Sequence, residues 1–406
     1  MRGQAFAEQA RMTPTAFTRN RCLPLAGLVA FLLNAPRSGL KPELEAFFDD
    51  ALGGGEASAP TKSALCQARR QLRPEAVRDL LSHSARLFAD DSQVELWHGR
   101  RVLALDGTTL RVPDVPECAA HFGGMQTACG KFRPLARATA LLDVARDCFV
   151  DARLAGYADD ERSLAAHHLP HLGPADLVVM DRGFPSREWL GQLVAQGVAF
   201  CVRMGRSWEQ VKRFARSDRD DEIVDLGTDR VPLLVRLLRA VLPNGSTLIL
   251  ATTVFDPTLS PADFATLYRG RWRVEEALKL IKARLQVENW SGILPHTVEQ
   301  DFHASLVRAN CAAVLALAVR PEEATLHTPA PNAKGWRVQL NRTLLIKRLR
   351  HKLVRLLLAI DFDAVLDRLI RRRRSPSELE RTRPDRTAAR KKGVRLAGFS
   401  PAYKAA

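Results

Sequence analysis

Between about residue 98 and residue 204 the chain alternates short apolar runs with helical spacing, and two of the runs end in aspartate. Arg101-Val-Leu-Ala-Leu-Asp106 and Asp176-Leu-Val-Val-Met-Asp181 are both mostly apolar and both close on an acid. Between them, Ala138–Val144 and Cys148–Leu154 read as two strands joined by the turn Ala145–Asp147, and Glu161–His168 reads as a helix. Ser186 then opens a helix through Gln196, and Ala199–Met204 is a further strand. Strand–strand–strand–helix–strand–helix–strand demands an α/β layer, with carboxylates delivered to strand ends. A chain of 406 residues has length for two or three domains or one elaborated domain.

The flanks differ in character. Residues 1–95 read as a helical N-terminal region, with apolar segments at Leu25–Leu33 and Pro42–Leu52 and a breaker at Gly53–Pro60. The basic segment Thr61–Leu72 suits a DNA groove or an ordinary surface equally well, which makes DNA-end binding an option for this region. Residues 96–204 carry the first part of the α/β core, and 205–258 a β-rich insertion with strands at Val231–Leu242 and Thr247–Val254. Residues 259–295 return to helix, with Ser260 as N-cap and Pro261 in the first turn. Residues 296–370 form a helical C-terminal region, and 371–406 a basic, flexible tail.

Net charge of +16 and a pI near 10.1 point to a polyanionic partner, most simply nucleic acid. The seven cysteines are odd in number, scattered and without a Cys-x-x-Cys, which fits the reducing cytosol. Cys118, His121 and Cys129 are too loosely spaced for a zinc site. The apolar run Cys22–Leu33 is too short to span a bilayer, so no membrane role is expected.

Tyr268–Lys282 has the spacing of a single helix. At about 100° per residue, Tyr268, Arg271, Glu275, Lys279 and Lys282 fall within roughly 80° of arc, while Glu276 points away. Val274, Leu278, Ile281 and Leu285 form the adjoining core stripe. Alone, such a helix is an ordinary solvated face with a Glu–Lys pair four apart. Beside two strand-end aspartates, it becomes a candidate third wall of a metal site. Two-metal phosphodiester chemistry needs hard oxygen ligands holding cations about 3.5–4 Å apart. Periodicity alone leaves Asp114, Asp143, Asp151 and Asp176 in contention with Asp106 and Asp181, although alternation lets Asp151 face solvent.

At this point the chain resembles a family. Asp106-Gly-Thr-Thr-Leu110 with Arg111-Val-Pro-Asp114 is similar to the first-aspartate motif of DDE transposases of the insertion-sequence-four type, and Val179-Met-Asp-Arg-Gly-Phe184 to the second. Tyr268, Arg271, Glu275 and Lys282 match the family's Y-(2)-R-(3)-E-(6)-K signature at every spacing, and Leu285–Gly292 resembles members downstream. The similarity runs from about residue 20 to 370.

The resemblance implies an RNase H-like catalytic core, with Asp106, Asp181 and Glu275 holding two Mg²⁺ ions and Mn²⁺ able to substitute. It implies that Tyr268, Arg271 and Lys282 grip DNA phosphates near the element's end. The implied reaction is cleavage of inverted-repeat ends by metal-activated water, followed by joining of the 3′-OH to target DNA. The implied partners are double-stranded end and target DNA, bound by a homodimer in the cytoplasm and at the bacterial nucleoid. An RNase H-like nuclease without strand transfer, or a non-catalytic DNA-binding derivative, are the alternative functions.

Overall fold

The computed structural model describes residues 4–18, 23–34, 39–51, 59–91, 94–228, 231–241, 246–326, 337–340, 349, 352–353, 355–356 and 379–382. Most of 341–370, the latter part of the expected helical C-terminal region, and most of the basic tail lie outside these residues. Helices α1 (Gln4–Ala10), α2 (Leu25–Asn34), α3 (Leu40–Ala51), α4 (Lys62–Arg70) and α5 (Pro74–Asp91) come first. Strand β1 (Arg101–Arg111), helix α6 (Pro116–Phe122), and strands β2 (Gly124–Gln126), β3 (Phe132–Asp143) and β4 (Cys148–Gly156) follow. Then come α7 (Glu161–Ala166), β5 (Asp176–Met180), α8 (Arg187–Ala195), β6 (Ala199–Arg203) and α9 (Glu209–Arg216). Strands β7 (Asp221–Asp225), β8 (Leu234–Val241) and β9 (Thr247–Thr252) precede α10 (Pro261–Arg269) and α11 (Trp272–Lys279). A π-helical turn, Leu280–Arg284, leads on to α12 (Pro295–Leu326), β10 (Arg337–Leu340) and β11 (Leu379–Thr382). Among the described residues no helix is long and apolar enough to cross a membrane.

The chain forms two compact units: Met1–Ser84 with Arg111–Ala120 and Leu280–Ala406, and Ala85–Leu110 with His121–Lys279. In the first, α2 is apolar on nearly every side and correspondingly buried, packing on α12. Arg69 of α4 is also buried. Its guanidinium donates to Gln300 Oε1 (2.9 Å), Ser291 Oγ (2.6 Å), Thr297 O (2.8 Å) and Asp301 Oδ1 (2.9 Å). Gln300 answers by donating to the carbonyls of Arg69 and Leu72. Strands β10 and β11 pair antiparallel, placing strand structure where the sequence suggested helix and tail.

The second unit is built on a nine-stranded sheet of order β2-β3-β1-β5-β6-β9-β8-β7, with β4 on β3. Its heart, β4-β3-β1-β5-β6, is an antiparallel meander followed by two strands parallel to β1, which is the RNase H-like arrangement. Strand β9 adds to β6 antiparallel, so β7–β9 extend the same sheet. The segment 205–258 also holds α9, with Val211 and Phe214 buried.

Alternation along β5 sorts its side chains to two cores. Val178 and Met180 face Phe184, Trp189 and Leu190, whereas Leu177 and Val179 face Phe264, Leu267 and Tyr268 of α10. Trp208 packs against the first core under Arg187, 4.8 Å from ring centre to guanidinium, so it is a packing residue.

Candidate active site

The parallel register decides which acids meet. Leu105 pairs with Met180 and Met180 with Val202, so the next residue of each chain segment, Asp106, Asp181 and Arg203, forms one row across β1, β5 and β6. Period-two alternation turns Asp181 to the side of Leu177 and Val179, which is the side covered by α10. Asp106 does not end its strand, as its apolar run suggested, because β1 continues to Arg111. What ends at Leu105 and Met180 is the paired stretch of β1 with β5.

The opposing wall is not one helix. Helix α10, entered through a Ser260–Asp263 capping box, ends at Gly270, and α11 begins at Trp272. The π turn follows, with Leu285 N donating to Leu280 O at 3.0 Å. The break places Arg271 between the two helices. Its guanidinium donates to Asp106 Oδ2 (3.0 Å) and Glu275 Oε1 (2.6 Å), while the Tyr268 hydroxyl donates to Asp181 Oδ1 (3.0 Å). Three acids, Tyr268 and Arg271 thus form one cluster. Both Tyr268 and Arg271 are only 5% exposed and are engaged by the carboxylates.

Glu276 turns away, as the helical phase requires, and pairs with Lys279 at 2.8 Å. Lys282 belongs to the first unit. It lies 3.9 Å from Glu288, which also receives the Arg111 backbone N–H and guanidinium. Trp272 is 52% exposed, with the Arg271 and Lys279 charges 5.7 and 5.6 Å from its ring centre.

Burial pushes the Asp106 carboxyl up to about 6, and the charges of Glu275 and Asp181 push the same way, against the Gly107 N–H and Arg271. Burial and the Asp181 charge push the Tyr268 hydroxyl far above its ordinary range, which keeps it a hydrogen-bond donor. All the ligating atoms offered are hard oxygens, the donor set for a divalent cation of the Mg²⁺ class. Among the described residues no three such groups stand at metal-ligand spacing, and the positive charge between Asp106 and Glu275 is that of Arg271. The Arg271 Nε is buried without a hydrogen-bond partner. The donors therefore fit a cation chemically, while the guanidinium is the cation they hold.

Three of the competing acids, Asp176, Asp143 and Asp151, are engaged elsewhere. Asp176 is held by Arg101 and Asp143 by Arg146. Asp151 does not face solvent. It is fully buried, accepting from His168 Nδ1 (2.7 Å) and Arg153 Nε (2.8 Å), with the Thr139 hydroxyl 2.9 Å from His168 Nε2. The residue that sequence reading passed over is Arg203, 4.0 Å from Asp181. Its signal was present, since Ala199–Met204 is an apolar run with a charged residue near its end, like the runs before Asp106 and Asp181.

The family model of the transposase DDE domain matches residues 97–311. The transposase InsG for insertion sequence element IS4 of Escherichia coli (strain K12) is 27% identical over 320 residues, covering 73% of this chain and 70% of that protein. The putative transposase InsZ of the same strain is 28% identical over 181 residues, covering 42% of this chain and 55% of its own length. Among solved structures, a piggyBac transposase synaptic complex with hairpin DNA superposes at a TM-score of 0.43. It shares 10% identity, over 87% of this chain and 72% of that one.

Proposed function

We propose that this chain, which belongs to the transposase DDE-domain family, uses Asp106, Asp181 and Glu275 as the ligands of two Mg²⁺ ions at a transposon end. It is a DNA transposase of the insertion-sequence-four type, and its family works with divalent metals. The observation that carries the assignment is the Arg271 guanidinium, which gathers Asp106 and Glu275 while Tyr268 orients Asp181.

When bound, the cations supply charge that eases deprotonation of water and stabilises the leaving oxygen. The residues do the rest. Asp106 and Asp181 are held side by side by the register of β1 and β5, so their spacing costs no rearrangement at the moment of reaction. Tyr268 donates to one Asp181 oxygen and thereby fixes the carboxylate's orientation. Arg271 presents a planar fork that serves a phosphate's oxygens as well as a carboxylate's, so an incoming phosphodiester competes for it. Lys282, 3.9 Å from Glu288, supplies a point charge suited to a DNA phosphate. The 3′-OH left by cleavage then attacks target DNA, with two copies of the chain holding the two ends.

The test is cleavage and joining of end-bearing duplex with a target plasmid, in Mg²⁺, Mn²⁺ or EDTA. Both cations are expected to support cleaved and joined products. EDTA is expected to abolish both while leaving DNA binding intact. Full activity in EDTA overturns the metal assignment, and cleavage without joined product overturns the strand-transfer step.

A further inference from the structure

The β2–β3 hairpin is a built projection that the catalytic cluster does not use. Met125 pairs with Arg133 and Gln126 with Phe132. The turn is closed by Thr127 N to Lys131 O (2.9 Å), Gly130 N to Thr127 O (2.8 Å) and the Thr127 hydroxyl to Lys131 O (2.9 Å). Gly130 takes a φ of +75°, which other residues rarely adopt. A side chain at Gly124 would stand 2.2 Å from the Arg133 carbonyl and 2.9 Å from the Phe132 ring, so the glycine lets the two strands close and the ring lie across it.

Met125 and Phe132 are nevertheless 45% and 39% exposed, and Lys131 and Arg133 are exposed with them. No acidic residue occurs between Glu117 and Asp143, so the whole projection is cationic.

Its place in the sheet gives it a reach. Val144, just past the end of β3, donates to Val102 at the start of β1 (3.0 Å), so β3 begins at the end of the sheet where β1 carries Asp106. Arg137 is level with Gly107, because Arg137 bonds Glu161 (3.1 Å) and the Glu161 carboxylate lies against Gly107. From Arg137 out to Arg133 and Lys131, strand geometry gives about 13–20 Å. At about 3.4 Å per base pair, that is roughly four to six base pairs.

Resting on the transposase reading above, we propose that residues 124–133 are a DNA-contact arm. Lys131 and Arg133 meet phosphates of the end duplex roughly four to six base pairs from the cut, and Met125 and Phe132 lie along its sugar edge. A positively charged arm carrying exposed apolar side chains fits the charged and apolar strips of a duplex backbone.

The experiment measures end-duplex binding by the full chain and by the Lys131→Gln/Arg133→Gln double variant across 50–200 mM salt. Each lost phosphate contact is expected to flatten the log–log slope by about 0.9, so the affinity gap narrows about tenfold over that range. Cys129, exposed at the tip, supplies a second reading. In a Cys66→Ser background, thiol-tethered duplexes should be captured best about four to six base pairs from the cut, and Cys129→Ser should remove that capture. An unchanged slope, or capture at none of those positions, overturns the arm while leaving the catalytic assignment intact. A wild-type chain that binds no end duplex overturns both.

Discussion

Glu275 and Glu276 are neighbours in sequence, yet only Glu275 reaches Arg271, and Glu276 is spent on Lys279. Glu275→Gln is therefore expected to slow end cleavage by about 10³-fold, on the order of 4 kcal/mol in the barrier, with DNA binding retained. Glu276→Gln should stay within about threefold of the parent in the same gel assay. Equal losses in the two would sink the assignment. This distinction was legible in the sequence, because helical phase depends only on counting residues. The apolar runs before Asp106 and Asp181 marked buried strands, but the family resemblance, not the runs, singled out these two from Asp114, Asp143, Asp151 and Asp176. Arg203 and Asp151 were harder. Arg203 becomes notable only once β6 is known to lie in register beside β5, and the burial of Asp151 depends on His168 and Arg153, partners that no local pattern announces.

Among elements, α4 has a mixed character that its sequence left open. Its exposed residues include Ser63, Cys66, Gln67 and Arg70, but Arg69 points inward to four acceptors on Ser291, Thr297, Gln300 and Asp301. Truncating it leaves a nearly buried carboxylate without its cation. Arg69→Ala should accordingly lower the unfolding free energy by about 3–5 kcal/mol, measured by urea denaturation. A loss under about 1 kcal/mol would show that water replaces the guanidinium there. Gly292 stands in the same region, and an added Cβ would lie 2.5 Å from the Thr297 hydroxyl and 2.7 Å from its Cβ. Gly292→Ala is expected to cost about 1–3 kcal/mol in the same measurement, since Thr297 cannot swing its own Cβ aside. The division of Tyr268–Lys282 into α10, α11 and a π turn was not legible. Periodicity assumes one repeat throughout, and a single extra residue in the hydrogen-bond ladder is invisible to it.

For the molecule as a whole, the α/β layering followed from the succession of strand and helix signals and the RNase H-like core from the family resemblance, whereas the joining of β7–β9 to the same sheet followed from neither. Which edge a hairpin pairs with is decided by contacts far apart in sequence. Stability should carry the mark of Asp151. Burial opposes its charge, but the His168 hydrogen bond and the charges of His168, His171 and Arg153 outweigh burial and hold its carboxyl well below the ordinary range. A depressed folded-state value gives stability that is present above the unfolded value, about pH 4, and is lost as pH falls below it. Urea midpoints should therefore drop steadily from pH 5 toward pH 2. Asp151→Asn should be less stable at pH 6 and show a flatter decline; a parallel decline would place the acid sensitivity elsewhere.

Asp106 and Asp181 each follow directly on the last residue pair of β1 with β5, whose strands run about 4.8 Å apart, whereas Glu275 rides a two-turn helix with irregular backbone at both ends. Drift in the length of 205–258, which leads into α10 and α11, would thus be felt at Glu275 and scarcely at the aspartates. Of the three clustered acids, one can therefore be re-aimed by altering a short helix, and two can move only if the sheet itself is rebuilt.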